Sequence, residues 1–257
     1  AAAANTTATT FVQRLQMLLS VDDVVDEVVG LLEAESIIDS TYILFCADHG
    51  WNLGEFRVMN GKHQMYEHTI RVPFAIRGPG IAAGTTLNDV VAMVDIMPTL
   101  LDLAGAAVPK ADPRVDGRSF APRLLGRHDG ADRSAMMVEF YSLASNSPDE
   151  PPCPAGQPPN RKTCYNTRAS HSDIGNNTFI GLRIVNSTHD LTYAEYTDVR
   201  DKYDFANVYF RELFDLRTDP FQLKNLYYGN TTSAAVRRDL HDRLFREFRC
   251  RGADCAW

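Results

Sequence analysis

The 257-residue sequence lacks the features that usually mark a membrane, nucleotide-binding or nucleic-acid-binding protein. It has no apolar run long enough to cross a membrane, and its N-terminus has no charged segment followed by an apolar one, as a signal peptide would. It contains no Gly-rich phosphate loop, no G-x-S-x-G and no H-E-x-x-H motif. Neither half is basic, and the net charge is −7, so no nucleic acid is expected as a partner.

The composition is that of an ordinary globular protein. Hydrophobic residues make up 44% of the chain and charged residues 23%, which excludes a disordered chain, a collagen-like repeat and a disulfide-knotted miniprotein. A chain of this length buries about 70–75% of the surface that it exposes when unfolded. A core of substantial size is therefore expected.

The five cysteines can be arranged as two pairs and one free thiol. Cys250 and Cys255 lie close together near the C-terminus, and Cys153 and Cys164 bracket a Pro-rich loop. Cys46 lies in an apolar run and is expected to be a buried thiol. Two disulfides would be typical of a secreted protein, whereas five reduced thiols are the alternative interpretation.

Four N-x-[ST] triplets favour the first interpretation. Each is a candidate glycosylation site, although such triplets also occur by chance. They favour the secretory pathway, extracellular or lysosomal, with any targeting segment upstream of this sequence; a cytosolic chain is the alternative. The triplets begin at Asn5, Asn176, Asn186 and Asn230.

The first half of the chain has the pattern of an α/β layer. A helix is predicted to start at Ser20, which has capping-box spacing to Asp23. The apolar run from Thr41 to Ala47 predicts a strand buried on both faces, as in a parallel sheet. A second strand is predicted over 72–77, and a helix capped by Asp95 is predicted to run to Ala104.

The second half has the pattern of a small α+β domain with an antiparallel sheet. A charged, Gly-containing segment separates the halves and predicts domains at 1–130 and 131–257. A C-terminal helix over 233–249 is expected to bury one apolar face that includes Val236, Leu240 and Leu244. The predicted strands cover residues 136–141, 179–185, 191–196 and 209–216.

A candidate site lies where the first buried strand should end. Asp48 offers a carboxylate oxygen and His49 an imidazole nitrogen, and Gly50 frees the backbone so that both could face one cation. Strand ends of this kind form sites in α/β sheets. The alternative is a polar strand exit. Lys62 could place its charge against an anionic ligand, or be an ordinary surface lysine.

Two further groups of residues near this site have plainer interpretations. His63 and His68 could join His49 in a zinc site, but their spacing matches no standard zinc motif. Glu67 and Arg71 are four residues apart and are expected to form a structural ion pair on a helix.

The order of short motifs resembles the sulfatase family of the alkaline-phosphatase superfamily. The resemblance covers about residues 11–255, and its C-terminal part looks most like N-acetylglucosamine-6-sulfatases and the algal or plant arylsulfatases. The blocks that carry it are residues 18–23 (LLSVDD), 42–50 (YILFCADHG), 61–62 (GK) with 66–67 (YE), 70–73 (IRVP), 77–81 (RGPGI), 94–102 (VDIMPTLLD), 116–119 (DGRS), 213–216 (LFDL) with 219–220 (DP), 225–226 (NL), and the Cys250/Cys255 pair.

The resemblance implies a fold, a cofactor and a substrate. The fold would be the C-terminal part of an alkaline-phosphatase-like sandwich followed by a small α+β domain. Asp48 and His49 match ligands of a divalent cation, usually calcium, and Lys62 matches the lysine that contacts the sulfate ester. The substrate class would be an aryl sulfate or a sulfated glycan, and no membrane span is implied.

One departure from the family pattern bears on activity. Sulfatases of this type use a formylglycine made from the Cys of a C-x-P-S-R motif, and no such motif occurs in the 257 residues. The family's first Asp-Asp metal pair is also missing. We therefore expect the chain to be the later part of a sulfatase and to be inactive by itself. The alternatives are a metal-dependent phosphohydrolase of the same superfamily and a truncated, non-catalytic binding module.

Overall fold

The fold is that of an α/β protein with antiparallel sheets, as a computed structural model shows for residues 2–58, 61–106, 114–127, 133–141, 177–198 and 205–255. Short 3-10 turns connect several of the elements. In chain order these are α1 (Ala2–Ala34), β1 (Ile43–Cys46), α2 (Glu67–Ile70), β2 (Phe74–Arg77), α3 (Ile96–Leu103), α4 (Ala121–Leu124), β3 (Ala135–Phe140), β4 (Thr178–Val185), β5 (Asp190–Thr197), β6 (Phe210–Asp215) and α5 (Ala234–Arg249).

The chain forms two compact units. Among the described residues, the first unit contains those of 2–62 and 67–85, and the second contains 63–66 and those from residue 86 onward. The predicted domain division at residue 130 stays a prediction.

The first unit contains α1, α2 and a two-stranded sheet. β1 pairs antiparallel with β2, with Ile43 opposite Arg77 and Cys46 opposite Phe74. The prediction of a buried strand in a parallel arrangement is wrong for this pair: Phe45 is exposed, and Cys46 is a half-buried free thiol. An apolar run indicates a strand but not the direction of its neighbour.

Helix α1 begins well before Ser20, so the predicted start at this residue is wrong. Ser20 lies inside a 33-residue helix. Ala, Leu and Gln, which are strong helix formers, are frequent in the preceding residues, and neither Pro nor Gly interrupts them. Apolar residues of this helix such as Val24 and Leu31 are exposed.

Helix α3 has the predicted position, with Asp95 at its N-cap position, but lacks the predicted side-chain cap. Asp95 precedes the helix, yet its carboxylate accepts from the backbone N–H groups of Ala92 (2.7 Å) and Arg118 (2.8 Å) and makes no cap bond to the helix. At the other end Gly105 adopts a φ of +69°. This left-handed conformation lets the following amide bond back to the Leu101 carbonyl and ends the helix.

The second unit is built on a four-stranded antiparallel sheet in the order β3-β4-β5-β6. Helix α5, which Ser233 caps by accepting from the amide of Val236, packs on this sheet. Leu240 and Leu244 of α5 are buried, whereas Val236 is exposed, contrary to its predicted place on the apolar face. The core consists of Ala135, Ile180, Leu182, Ile184, Tyr193, Phe205, Leu213, Leu240 and Leu244.

The C-terminal disulfide is present as predicted. Cys250 and Cys255 are joined with an S–S distance of 2.09 Å, whereas Cys153 and Cys164 lie outside the described residues. No helix in the part of the chain that the structure describes is long and apolar enough to span a membrane.

Two of the four candidate glycosylation sites can be placed. Asn186 lies in the turn between β4 and β5, where its Oδ1 accepts from the amides of Thr188 and His189. Asn230 is exposed in the loop before α5. The side chain of Asn5 and all of Asn176 lie outside the described residues. Glycosylation stays a prediction.

Candidate active site

Asp48 and His49 lie directly after β1, at its carboxyl end. Asp48 is exposed, whereas about a quarter of the His49 side chain (28%) is accessible. Asp48 Oδ1 accepts from the backbone N–H of His49 at 3.0 Å, and its Oδ2 is 3.0 Å from His49 Nε2. The two side chains therefore face each other, and their role as ligands of one cation stays a prediction.

The loop that follows is fixed by backbone pairing with the end of α2. The amide of Gly50 donates to the Thr69 carbonyl at 2.8 Å, and the amide of Trp51 donates to the His68 carbonyl at 3.1 Å. A Cβ atom at Gly50 would lie 1.8 Å from the His68 oxygen. Only glycine allows the backbones to approach this closely.

A second pairing brings Lys62 to the same place. The amide of Asn52 donates to the Gly61 carbonyl at 2.7 Å, forming an isolated β-bridge. Lys62 follows this bridge, and its Nζ contacts His49 Nε2. Three residues that the sequence singled out separately, Asp48, His49 and Lys62, are thus adjacent.

The hydrogen bonds define which atoms of the site are available. His49 Nδ1 is 2.7 Å from the Gly50 carbonyl, so in the neutral ring Nδ1 carries the proton and Nε2 is an acceptor. Nε2 then accepts from the Lys62 ammonium. The site therefore offers the Asp48 carboxylate to a cation, and His49 Nε2 would become a second ligand only when the Lys62 ammonium leaves it for an anion.

The described residues supply only part of a metal site. Calcium takes six to eight oxygen ligands, and Asp48 with His49 gives one carboxylate and one imidazole. In the segments for which coordinates are described, no three His, Cys, Asp or Glu side chains converge on one point. The zinc interpretation, which needed His63 and His68 beside His49, is therefore not supported in these segments.

Other motif residues hold the fold together. Glu67 and Arg71 form the expected i,i+4 ion pair at 3.7 Å, with Arg71 largely exposed. Asp116 Oδ1 accepts from the amide of Gly252 at 2.7 Å, and the Arg118 guanidinium donates to the Cys255 carbonyl. The segment at 116–119 thus binds the loop that the C-terminal disulfide closes.

Sequence reasoning missed a buried carboxylate next to the tyrosine of the motif at 66–67. Glu212 Oε1 accepts from the Tyr66 hydroxyl at 3.2 Å, and its Oε2 accepts from the Tyr196 hydroxyl at 2.7 Å. Burial raises the pKa of Glu212, although the two hydrogen bonds oppose this effect. Tyr66 and Glu212 are 146 residues apart, so no local pattern connects them.

We predict a pH-dependent stability contribution from Glu212. Because the folded state keeps the proton to higher pH than the unfolded state, this contribution falls as the pH rises above about 4.5, the ordinary value. The measurement is urea unfolding of wild type and Glu212→Gln from pH 4 to pH 7. The wild type should lose stability relative to the variant as the pH rises; a constant difference would contradict the raised pKa.

The comparisons with known proteins connect this geometry to a family. The family model described as Sulfatase matches residues 5–106. The N-acetylglucosamine-6-sulfatase of Capra hircus is 34% identical over 245 residues, which is 95% of this chain and 41% of that protein. The arylsulfatase of Volvox carteri is 31% identical over 94% of this chain and 35% of its own length. The chain is similar to sulfatases over nearly its whole length.

Solved structures agree with this assignment. The structure of BT4656 in complex with its substrate D-glucosamine-2-N,6-O-disulfate matches with a TM-score of 0.64 and 26% identity, over 89% of this chain and 38% of that one. The phosphonate monoester hydrolase of Agrobacterium radiobacter matches with a TM-score of 0.63 and 25% identity, over 89% and 39%. The chain therefore has the predicted alkaline-phosphatase-like fold, and it spans about 41% of the length of the first curated relative.

Proposed function

We propose that this chain is part of a sulfuric ester hydrolase whose sulfate-binding site includes Lys62. The carrying observation is the contact between Lys62 and His49, beside Asp48, at the carboxyl end of β1. These three residues are the ones that the family motifs assign to substrate and metal. The proposed localisation is the secretory pathway, supported by the disulfide and the N-x-[ST] triplets.

The site has a positive side chain that suits the sulfate group and a negative one that suits a divalent cation. The Lys62 ammonium would hold a sulfate oxygen and stabilise the negative charge that grows on the leaving oxygen. Asp48 and His49 would hold a divalent cation, for which we propose calcium; such a cation would polarise the sulfate group. Since imidazole is an unusual calcium ligand, the further ligands of this cation would have to be oxygens.

The nucleophile is not among these residues. The C-x-P-S-R motif that supplies formylglycine in the family is absent from the 257 residues, so we propose that this group lies upstream in the complete protein. By itself the chain would bind a sulfate ester and leave it intact, because the covalent route needs the missing group.

A 6-sulfated glucosamine is the proposed substrate. Support comes from the names of the relatives: the goat protein is an N-acetylglucosamine-6-sulfatase, and BT4656 binds a glucosamine sulfated at the nitrogen and at O6. An aryl sulfate is the alternative that the algal relative suggests.

A binding measurement on Lys62 variants tests this proposal. Glucosamine 6-sulfate, titrated against the chain by isothermal titration calorimetry, should bind at least about tenfold more weakly to Lys62→Ala, because a hydrogen bond between two charges contributes about 1.5–3 kcal/mol. Lys224→Ala removes an exposed lysine of the second unit and is the matched control. Equal affinities of Lys62→Ala and Lys224→Ala would exclude Lys62 from the site.

A phosphohydrolase is the second candidate function. The match to the phosphonate monoester hydrolase is as good as the match to BT4656 by TM-score, and both sulfate and phosphonate esters present tetrahedral oxyanions. The same titration with phenyl phosphonate separates the candidates. Tighter binding of the phosphonate than of the sulfate ester, lost in Lys62→Ala, would favour this second function.

A further inference from the structure

An open cleft on the second unit is lined by residues of α5, by Arg211 of β6 and by residues 205–206. Its volume is about 580 Å³, and its lining includes the side chains of Arg211, His241, Asp242, Phe245, Arg246 and Arg249. None of these residues belongs to the candidate active site, whose three residues all lie in the first unit. The cleft is therefore a separate feature of the molecule.

Three charged side chains of α5, Asp242, Arg246 and Arg249, reach this cleft because of helical spacing. Residues 242, 246 and 249 follow each other at intervals of four and three, which places them on one face of a helix. Arg246 and Arg249 are both exposed. In the part of the chain that the structure describes, neither guanidinium forms an ion pair, and Arg249 lies over the ring of Phe245 at 5.4 Å from its centroid.

The opposite wall of the cleft is held by a buried carboxylate. Glu195 is fully buried in β5, and its Oε1 is 2.8 Å from His241 Nδ1 and 3.3 Å from Arg211 Nε. The Tyr193 hydroxyl donates to the same oxygen. The imidazole of His241 and the guanidinium of Arg211 are therefore both held in place by the same oxygen, Glu195 Oε1.

The charge balance of the cleft is positive. Glu195 offsets Arg211, and Asp242 is the single acid of the lining that offsets Arg246 and Arg249. If His241 is counted as neutral, the cleft keeps one net positive charge. The whole chain, in contrast, has a net charge of −7. Two exposed arginines that share one neighbouring acid give this part of an acidic protein a local preference for anions.

We propose that this cleft binds an oxyanion group of a sulfated saccharide, separately from the candidate active site. A guanidinium presents paired N–H donors that match two oxygens of a sulfate or a phosphate group. Arg246 and Arg249 supply such donors at the rim, and His241 and Arg211 form the fixed wall behind them. The choice of sulfate over phosphate rests on the proposed function; the binding of a tetrahedral oxyanion rests on the cleft alone.

The test is an NMR titration of the ¹⁵N-labelled chain with glucosamine 2-N,6-O-disulfate. Unsulfated glucosamine, sodium sulfate and sodium phosphate are titrated in parallel. We expect the disulfate to shift the amide signals of residues 241–249, with weaker shifts from sulfate and none from glucosamine. The paired variant Arg246→Ala/Arg249→Ala should bind at the cleft at least about tenfold more weakly, because charge-assisted hydrogen bonds are lost.

Two control variants show whether binding depends on the cleft itself. Arg238→Ala removes an exposed arginine of the same helix that does not line the cleft, and it should bind as wild type does. Lys62→Ala should keep the α5 shifts, so failure of the proposed active site and failure of the cleft are distinguishable. Absent α5 shifts, or equal weakening by Arg238→Ala, would overturn the site; tighter binding of phosphate than of the disulfate would overturn the assignment to sulfate.

Discussion

Replacing Arg133 by Met is expected to lower the free energy of unfolding by about 3–5 kcal/mol, because it leaves a buried carboxylate without its counter-charge. Asp95 is only 2% exposed. Its two oxygens accept from the Arg133 guanidinium at 2.5 and 2.8 Å. Burial lowers the pKa of Arg133, and the neighbouring Asp95 carboxylate opposes that effect.

The loss should be large because Asp95 connects three parts of the second unit. Besides Arg133, which precedes β3, the carboxylate accepts from the amides of Ala92 and Arg118. The pair therefore joins the start of α3, the segment at 116–119 and the first strand of the four-stranded sheet. Without the guanidinium, the remaining amides cannot balance the full charge in a buried place.

Urea unfolding at pH 7 measures this effect, with Arg71→Met as the matched control. The Arg71 side chain is 80% exposed and its pair with Glu67 is 3.7 Å long, so its removal should cost less than about 1 kcal/mol. The double variant Arg133→Met/Asp95→Asn, which removes the stranded charge, should regain part of the loss. Equal effects of Arg133→Met and Arg71→Met would show that the buried pair does not stabilise the fold.

Gly50→Ala is expected to destabilise the first unit by about 3 kcal/mol or more and to separate His49 from Lys62. The added Cβ would lie 1.8 Å from the His68 oxygen and 2.9 Å from the Thr69 Cα, both backbone atoms that cannot rotate away. The loop must move, and the hydrogen bonds from Gly50 and Trp51 to α2 must lengthen. Overpacking alone costs about 1–3 kcal/mol, and the broken backbone bonds add to it.

Gly30→Ala is the matched control for this substitution. Gly30 lies inside α1, and a Cβ there meets no atom within 4 Å. The same chemical change should therefore stabilise the chain by about 0.5–1 kcal/mol, as Ala is the better helix former. Thermal unfolding followed by circular dichroism compares the two. A Gly50→Ala variant that melts at the wild-type temperature would contradict the close backbone approach at the site.

The sequence was sufficient for elements that depend on local patterns. Helix α5 has its cap at Ser233 and its apolar spacing within one segment, and β4 to β6 follow from short runs of β-branched and aromatic residues. The start of α1 was missed because the capping-box spacing of Ser20 and Asp23 was interpreted as a helix start, although no Pro or Gly stops the helix before it. The direction of β1 was missed because an apolar run specifies no partner strand.

The sequence motifs identified the candidate site residues, but the spacing of these residues in the sequence did not show that Lys62 contacts His49. Lys62 reaches His49 only through the bridge between Asn52 and Gly61 and through the pairing of Gly50 with α2. Asp95 and Arg133 are 38 residues apart in the chain. Contacts of this kind depend on the tertiary fold, so periodicity and composition carry no signal for them.

A crystal structure of the chain grown with glucosamine 6-sulfate and calcium chloride tests the central claim most directly. The account predicts an intact sulfate ester with one sulfate oxygen within hydrogen-bond distance of Lys62 Nζ, and a cation in contact with Asp48 and His49. A sulfate ester bound elsewhere, with Lys62 still in contact with His49 alone, would contradict the claim that these residues form the substrate site.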